Sequence, residues 1–271
     1  MGLRKEFRRL KRSIVSRFFA SDIKLELGRV ADFKHFTVGY AQVFDKPFKF
    51  HHGPSFAESY IEIFETEIYR FKPTPGSAVI LDCGANMGLS VLYFSLNYPD
   101  HQIIAFEPDA EIFAILEENV KTFALKNVTL YQKAVWTKTE TLAFYTDGGM
   151  GGRIGNEYAD QKPKIIEAVP LLDFLTDEVD FLKIDIEGAE DKVLKYCGKS
   201  LKNADHIFFE YHNNVNSKQT LHELLALVES LGFHYYIKES ATRKRPFVDT
   251  RLICENFDMA INVFCYKEKH V

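Results

Sequence analysis

The feature that most constrains this chain is a series of short apolar runs, several with acids at their ends, alternating with helical patterns. AVILD (78–82) comes first, as expected of a strand buried on both faces. Gly84 and Gly88 then lead into LSVLYFSLN, a helix, followed by QIIAF (102–106), a helix from about Asp109 to Phe123, and VTLYQ (128–132). FLKIDI (181–186), HIFFEYH (206–212), a helix over 217–231, FHYYIK (233–238) and INVFCY (261–266) extend the sheet. This rhythm predicts an α/β fold, a Rossmann-like parallel sheet with helices on both faces. There is no internal repeat and no low-complexity tract.

Ahead of this section, residues 22–52 alternate loosely, with Phe36, Val38, Tyr40, Phe48 and Phe50 at period two around Asp45-Lys46-Pro47, which predicts a small β-rich preface. FAESYIEIFETEIYRF (56–71) returns to helical spacing, and Pro73-Thr74-Pro75-Gly76 punctuates the chain. The divisions expected are 1–21, 22–75 and 76–271. DGGMGGRIGNEYADQKPK (147–164) reads either as a mobile lid over a site or as a plain flexible connector.

Charge is unevenly spread. The 271 residues carry a net −4, yet residues 1–17 hold seven bases (Arg4, Lys5, Arg8, Arg9, Lys11, Arg12, Arg17) against Glu6, so the remainder carries about ten negative charges. Such a body is a poor tracker of nucleic-acid phosphates. In residues 1–18, Leu3, Phe7, Leu10, Ile14 and Phe18 form an apolar stripe among the bases. The stripe suits packing on the domain, a dimer contact, or peripheral contact with an anionic membrane. Charges interrupt every apolar run, so neither a signal peptide nor a spanning helix is expected, and Glu6 breaks the myristoylation pattern. Cys83, Cys197, Cys254 and Cys265 show no paired spacing and read as reduced thiols, which points to the cytoplasm, at the inner membrane face if the basic helix binds lipid.

Asp82-Cys83-Gly84-Ala85-Asn86-Met87-Gly88 sits where the first strand turns into the first helix, where glycines admit a ligand to the backbone and the helix start offers N–H groups. The spacing is GxxxG after an acid, not GxGxxG, which favours a ligand with a carboxylate and an amine over a pyrophosphate. Glu107, ending the second strand, suits a ribose diol. Asp185 and Glu187, two apart in KIDIEGAE, point to one side if extended geometry persists, and Glu210 and His212 repeat that spacing on the next strand. This grouping could act on an acceptor or ligate Mg²⁺ through oxygen, but no dedicated metal spacing is present and none is assigned.

The stretches VILDCGANMGLSVLYFS, IAFEPDAEIFAILEENV, VTLYQKAVWT, VPLLDFL, FLKIDIEGAEDKVLK and IFFEYH together resemble the FkbM family of S-adenosylmethionine-dependent methyltransferases, over roughly residues 77–212. The resemblance implies a seven-stranded class I methyltransferase sheet with an antiparallel final strand, S-adenosylmethionine as cofactor, and a hydroxyl acceptor on a sugar, glycan or natural product. It implies Asp82, Gly84, Asn86 and Gly88 around the methionine and ribose, Glu107 on the ribose diol, and Ala134 beside the adenine. Asp185 would face the methionine amine or the acceptor, and Glu187 the acceptor. A hydroxyl needs a base; Glu187 or His212 is the expected base, with Asp185 next, and His212 has the better intrinsic pKa, near 6.5. Two rivals are an NAD(P)-dependent sugar-modifying enzyme and a non-catalytic adenosylmethionine-binding module. Trp136, two residues after Ala134, is expected to sense the adenine. His35, His51 and His52 lie in the preface within possible reach of the acceptor.

Overall fold

The computed structural model describes residues 22–146, 152–154, 163–176, 178–214, 217–241, 243–249 and 257–267. The basic stripe of 1–18 and most of the glycine-rich stretch therefore lie outside the described residues, as does Cys254; Cys83, Cys197 and Cys265 are buried free thiols.

The preface is less β-rich than its sequence suggests. Residues 22–31 form a helix, α1, because Ile23, Leu27 and Val30 fall on one face and pack into the core. A hairpin follows, β1 (Gly39–Val43) and β2 (Lys46–Phe50), with Val43 opposite Lys46. Its tip residues Phe44 and Asp45 both adopt positive φ, as a two-residue turn of the right twist requires. His52 caps α2 (Gly53–Tyr60), its ring accepting from the Ser55 amide. The helix widens into a π turn, Ile61–Glu65, and stops at Thr66, short of the predicted Phe71.

The central section follows the predicted alternation. It runs β3 (Val79–Cys83), α3 (Leu89–Asn97), β4 (Gln102–Phe106), α4 (Ala110–Thr122), β5 (Val128–Tyr131), β6 (Ala134–Trp136), β7 (Glu140–Thr146), β8 (Gly152–Ile154), β9 (Lys164–Pro170), β10 (Val179–Ile184), α5 (Glu190–Cys197), β11 (His206–Asn214), α6 (Leu221–Ser230), β12 (His234–Ala241) and β13 (Phe257–Tyr266). Asp109 caps α4, its carboxylate accepting from the amides of Glu111 and Ile112.

The main sheet has seven strands in the order β12-β13-β11-β10-β3-β4-β5. Pairing is parallel throughout except at β13, antiparallel to both β11 and β12. β6, β9, β7 and β8 form a separate four-stranded sheet that the sequence reading did not distinguish. The main sheet is covered on both faces. One apolar cluster joins the preface (Val30, Phe48, Phe56) to α3 and to the sheet residues Ile80, Phe181 and Phe208; the other packs α5 and α6 on Leu81, Leu182 and Phe209. Strand order reverses between β3 and β10, whose carboxyl ends open a crevice where such sheets hold ligands.

Candidate active site

A cavity of about 1130 Å³ occupies that crevice. At one end it is lined by Glu107, Pro108, Ile112, Ala134, Val135 and Phe144, in the middle by Gly84, Ala85, Asn86 and Asp185, and at the other end by Glu62, Tyr69, Glu187, Glu210 and His212. An apolar slot, a carboxylate and a polar far end thus follow one another along a single cleft.

The loop after β3 is tightly specified. Gly84 takes φ +86, and a Cβ there would stand 1.8 Å from the Asp185 carbonyl oxygen. Gly88 takes φ +94 and lies against Leu116. The loop does not offer its amides as the sequence suggested. Those of Gly84 and Ala85 donate to the Phe106 carbonyl, Asn86 N–H to Glu107 Oε2 at 3.0 Å, Met87 N–H to Asn86 Oδ1, and Gly88 N–H to the Ala85 carbonyl. What remains for an anionic group is the first turn of α3, where Leu89 and Ser90 line the cavity.

Glu107 is 6% exposed, with Oε1 accepting from the Asp109 amide at 2.9 Å. Burial pushes its carboxyl up to about 7 despite these bonds. Each oxygen holds one backbone donor and keeps a lone pair, so the residue fits a diol placed beside it.

Asp82 does not line the cavity, nor does Gly88. Asp82 is fully buried, its Oδ2 accepting from Ser90 Oγ at 2.6 Å and its Oδ1 standing 3.3 Å from Lys183 Nζ. Lys183 donates to the Gly84 carbonyl at 2.8 Å and lies 3.6 Å from Asp185. Burial alone would lower the lysine's pKa, but the carboxylates of Asp82 and Asp185 raise it, so it stays an ammonium. Asp82 thus acts through Lys183, which holds the loop after β3 and the end of β10 together. Lys183 had no role in the sequence reading; a lone lysine inside the apolar run FLKI was its signal.

Asp185 and Glu187 are not on one extended side. β10 ends at Ile184, and Glu187 adopts φ +56, unusual for a side chain of its size. Glu190 imposes this turn, another role missed from the sequence: 1% exposed, it accepts from the amides of Ile186 and Gly188 at 3.0–3.1 Å and lies 3.2 Å from His212 Nδ1. His212 Nε2 is 3.7 Å from both Glu187 and Glu210. Burial would lower the His212 pKa, but these carboxylates, Glu187 foremost, hold it well above its ordinary value. These carboxylates thus favour the protonated imidazole over the free base its intrinsic pKa suggested. Burial raises the Glu187 and Glu210 carboxyls, with other acids adding to the shift.

Asp185, Glu190 and His212 place ligand atoms within 4.8 Å of one another, a grouping able to hold a metal ion, though the Glu190 oxygens already serve as the latch just described. Ala134 lines the cavity, but Trp136 does not: its indole donates to Glu140 at 2.9 Å and Lys192 lies over its ring. His35 and His52 line the cavity, with His52 Nε2 3.1 Å from His35 Nδ1, whereas His51 is buried and does not line it.

A seven-stranded sheet with one antiparallel strand, and a cleft at its switch point carrying an acid after β10 and another after β4, the strands on either side of β3, define the class I methyltransferase fold. Residues 82–235, more than half the chain, match the family described as Methyltransferase FkbM domain, and the chain belongs to that family. It is 29% identical over 160 residues to "Methyltransferase 1" of Beauveria bassiana, covering 49% of this chain and 64% of that one. It is 30% identical over 172 residues to "Methyltransferase sdnD" of Sordaria araneosa, covering 50% of this chain and 66% of the relative. The chain thus spans a little under two thirds of the length of these relatives. Among solved structures, methyltransferase FkbM of Methylobacillus flagellatus aligns with a TM-score of 0.47 and 16% identity, covering 74% of this chain and 46% of that one. The methyl donor of a domain of this family is S-adenosylmethionine, and the cavity fits it: an apolar slot for a purine, Glu107 for a diol, and acids toward a cationic centre. A dinucleotide enzyme is set aside with this assignment. No helix among the described residues is long and apolar enough to cross a membrane.

Proposed function

We propose that this protein transfers the methyl group of S-adenosylmethionine to a hydroxyl of a sugar, glycan or natural product. The observation that carries this reading is the half-buried group Glu187, His212 and Glu210 at the far end of the cavity that begins at Ala134 and Glu107. Residues 76–271 form the transfer domain, and residues 22–75 supply the wall over the acceptor end.

S-adenosylmethionine supplies an electrophilic methyl carbon on a sulfonium. The chain's own residues do the rest. Ile112, Ala134, Val135 and Phe144 enclose the adenine, Glu107 accepts from the ribose hydroxyls, and Asp185, with Gly84 and Asn86, faces the methionine end. Glu187 takes the proton of the acceptor hydroxyl as its oxygen bonds the methyl carbon and the carbon–sulfur bond breaks. A carboxylate with a raised pKa is the stronger base for this task. His212, kept cationic by Glu187, Glu190 and Glu210, orients the carboxylates rather than removing the proton itself. The apolar cover excludes water and holds the partners at attack distance. A non-catalytic binding module would have no use for a half-buried base beside the donor.

The test is transfer from methyl-labelled S-adenosylmethionine to a panel of hydroxyl-bearing sugars and natural products, with the label located by NMR. Label on oxygen, lost in Glu187→Gln, is the expected result; label on nitrogen or carbon contradicts the assignment.

A further inference from the structure

Midway along the cavity stands a polar group that neither the donor contacts nor the proposed base accounts for. Tyr69 lines the cavity and is 6% exposed. The chain brings it there by reversing after the π turn: Glu67 adopts φ +50, and the amides of Ile68 and Arg70 donate back to the carbonyls of Glu62 and Glu67 at 3.2 and 2.9 Å. The returning ring meets Phe208 and Phe181 edge-on, with centroids 5.0 and 6.3 Å away, and lies 5.6 Å from Phe94 on α3. Phe181 and Phe208 share their face of the sheet with Lys183 and Glu210, each the next residue on that face toward the carboxyl ends of β10 and β11. The ring is thus anchored on an apolar floor just below the charged groups of the crevice.

The Tyr69 hydroxyl makes no hydrogen bond among the described residues. Nor is it sealed in the core as the unpartnered hydroxyl of Tyr93 is; it opens onto the cavity. Burial raises the phenol well above its ordinary pKa, and the acids that add to the shift, Asp185 foremost, then Glu62, Asp82 and Glu210, are the charges it faces. In the donor placement given above, Asp185 faces the methionine end, whereas Glu62 and Glu210 lie at the acceptor end. The hydroxyl therefore stands, neutral, at the boundary between the two. A buried hydroxyl without a partner destabilises a fold, and phenylalanine would pack on Phe94, Phe181 and Phe208 as well as tyrosine does. That penalty falls on the donor-free protein and is offset when a ligand supplies the missing partner.

The part of the donor that crosses this boundary is the methyl group on its way from sulfur to the acceptor. We propose that Tyr69 is a catalytic residue whose hydroxyl oxygen contacts the sulfonium methyl group of S-adenosylmethionine, accepting C–H···O bonds that hold the methyl in line with the acceptor. The proposal rests on the donor placement above and adds a residue to it. A methyl group on a sulfonium shares its positive charge, so its hydrogens are better donors than those of an ordinary methyl group. A neutral phenol offers lone pairs to them while its own proton turns toward the neighbouring carboxylates. It also stays unreactive: a phenolate there would take the methyl itself, and the surrounding acids oppose that ionisation. In the transfer the acceptor oxygen bonds the methyl carbon, the carbon–sulfur pair returns to sulfur, and the acceptor proton passes to Glu187. Tyr69 gains and loses nothing, and its contact ends when the methyl group leaves, which favours release of S-adenosylhomocysteine.

The test uses the full chain and three ligands that differ at this one group: S-adenosylmethionine, S-adenosylhomocysteine, and sinefungin, in which a carbon bearing a protonated amine replaces the methylated sulfur. Calorimetric titration of Tyr69→Phe against the native chain should leave S-adenosylhomocysteine affinity unchanged and weaken S-adenosylmethionine about threefold or more. Sinefungin should weaken about tenfold, because its ammonium is the stronger donor. Donor-free Tyr69→Phe should melt at or above the native Tm, since no bond within the protein is lost. With a ¹³C-methyl donor bound, the methyl proton resonance should lie further downfield in the native chain than in Tyr69→Phe, the aromatic ring being common to both. Equal loss for all three ligands would put the hydroxyl on the methionine amine or carboxylate and overturn the methyl contact. Unchanged affinity for all three, or a Tm lowered by several degrees in the donor-free variant, would overturn it as well. Absence of S-adenosylhomocysteine binding to the native chain would instead overturn the donor placement on which the contact rests.

Discussion

At the residue scale, the site is built from buried charges whose ionisation is set by their neighbours. Glu107 titrates at about 7 in the fold against 4.5 as a free side chain. The folded state therefore favours its protonated form, a stabilisation complete below pH 4.5 and lost as pH rises through about 7. That difference is worth about 3 kcal/mol. Urea unfolding of donor-free Glu107→Gln against the native chain should show the gap between them moving in the variant's favour by roughly that amount from pH 4.5 to 8; parallel profiles would contradict the assigned burial. Glu190 is the residue to alter for catalysis without touching the donor. Glu190→Ala removes the acceptor of two backbone amides and of His212, leaving a positive-φ Glu187 without its latch. Methyl transfer should fall by about 10² or more from misplacement alone, the Tm should drop by several degrees, and S-adenosylhomocysteine affinity should change little.

At the element scale, the crevice depends on close approaches that a single atom can spoil. Gly84→Ala would drive a methyl group into the Asp185 carbonyl at a φ that disfavours side chains. It should destabilise the fold by about 3 kcal/mol or more, read as a lowered Tm and lost donor binding. Asn119 ties the preface to the donor loop: it donates to the carbonyls of Lys49 and Met87 and accepts from Lys49 N–H, all at 2.8–2.9 Å. Asn119→Ala should cost about 2–4 kcal/mol of stability, since buried partners lose their bonds, and should weaken the donor because β2 no longer supports Met87. The sheet was legible because most of its strands are short apolar runs separated by helical patterns, and the antiparallel β13 followed from the family resemblance. The helix over 22–31 was hidden by the alternation of the hairpin after it. The turn at Glu187 was hidden because strand periodicity carries no mark of where a ladder ends; only the bonds to Glu190 reveal it. Asp82 was correctly placed at a strand end, yet its action through Lys183 depends on a pair of side chains meeting across β3 and β10, which spacing along one chain does not encode.

At the scale of the whole molecule, an acidic body surrounds a cleft made for a cationic donor, and the basic stretch of residues 1–17 stands apart in charge. If that stretch brings the enzyme to an anionic surface, deleting residues 1–20 should abolish sedimentation with anionic liposomes, and binding should weaken steeply with salt; unchanged binding would remove this role. The acids Glu107, Asp185, Glu187 and Glu210 line one cavity, so donor and acceptor share a single chamber, and occupancy by the donor should raise the Tm as binding to the native state alone requires. The central claim is that this chamber holds S-adenosylmethionine with Glu107 on its ribose. Calorimetric titration of S-adenosylhomocysteine into the native chain and Glu107→Ala tests it most directly. The account predicts saturable binding of one ligand per chain, weakened about tenfold or more by the substitution as charge-assisted bonds are lost. No binding to the native chain, or equal affinity for both, would contradict it.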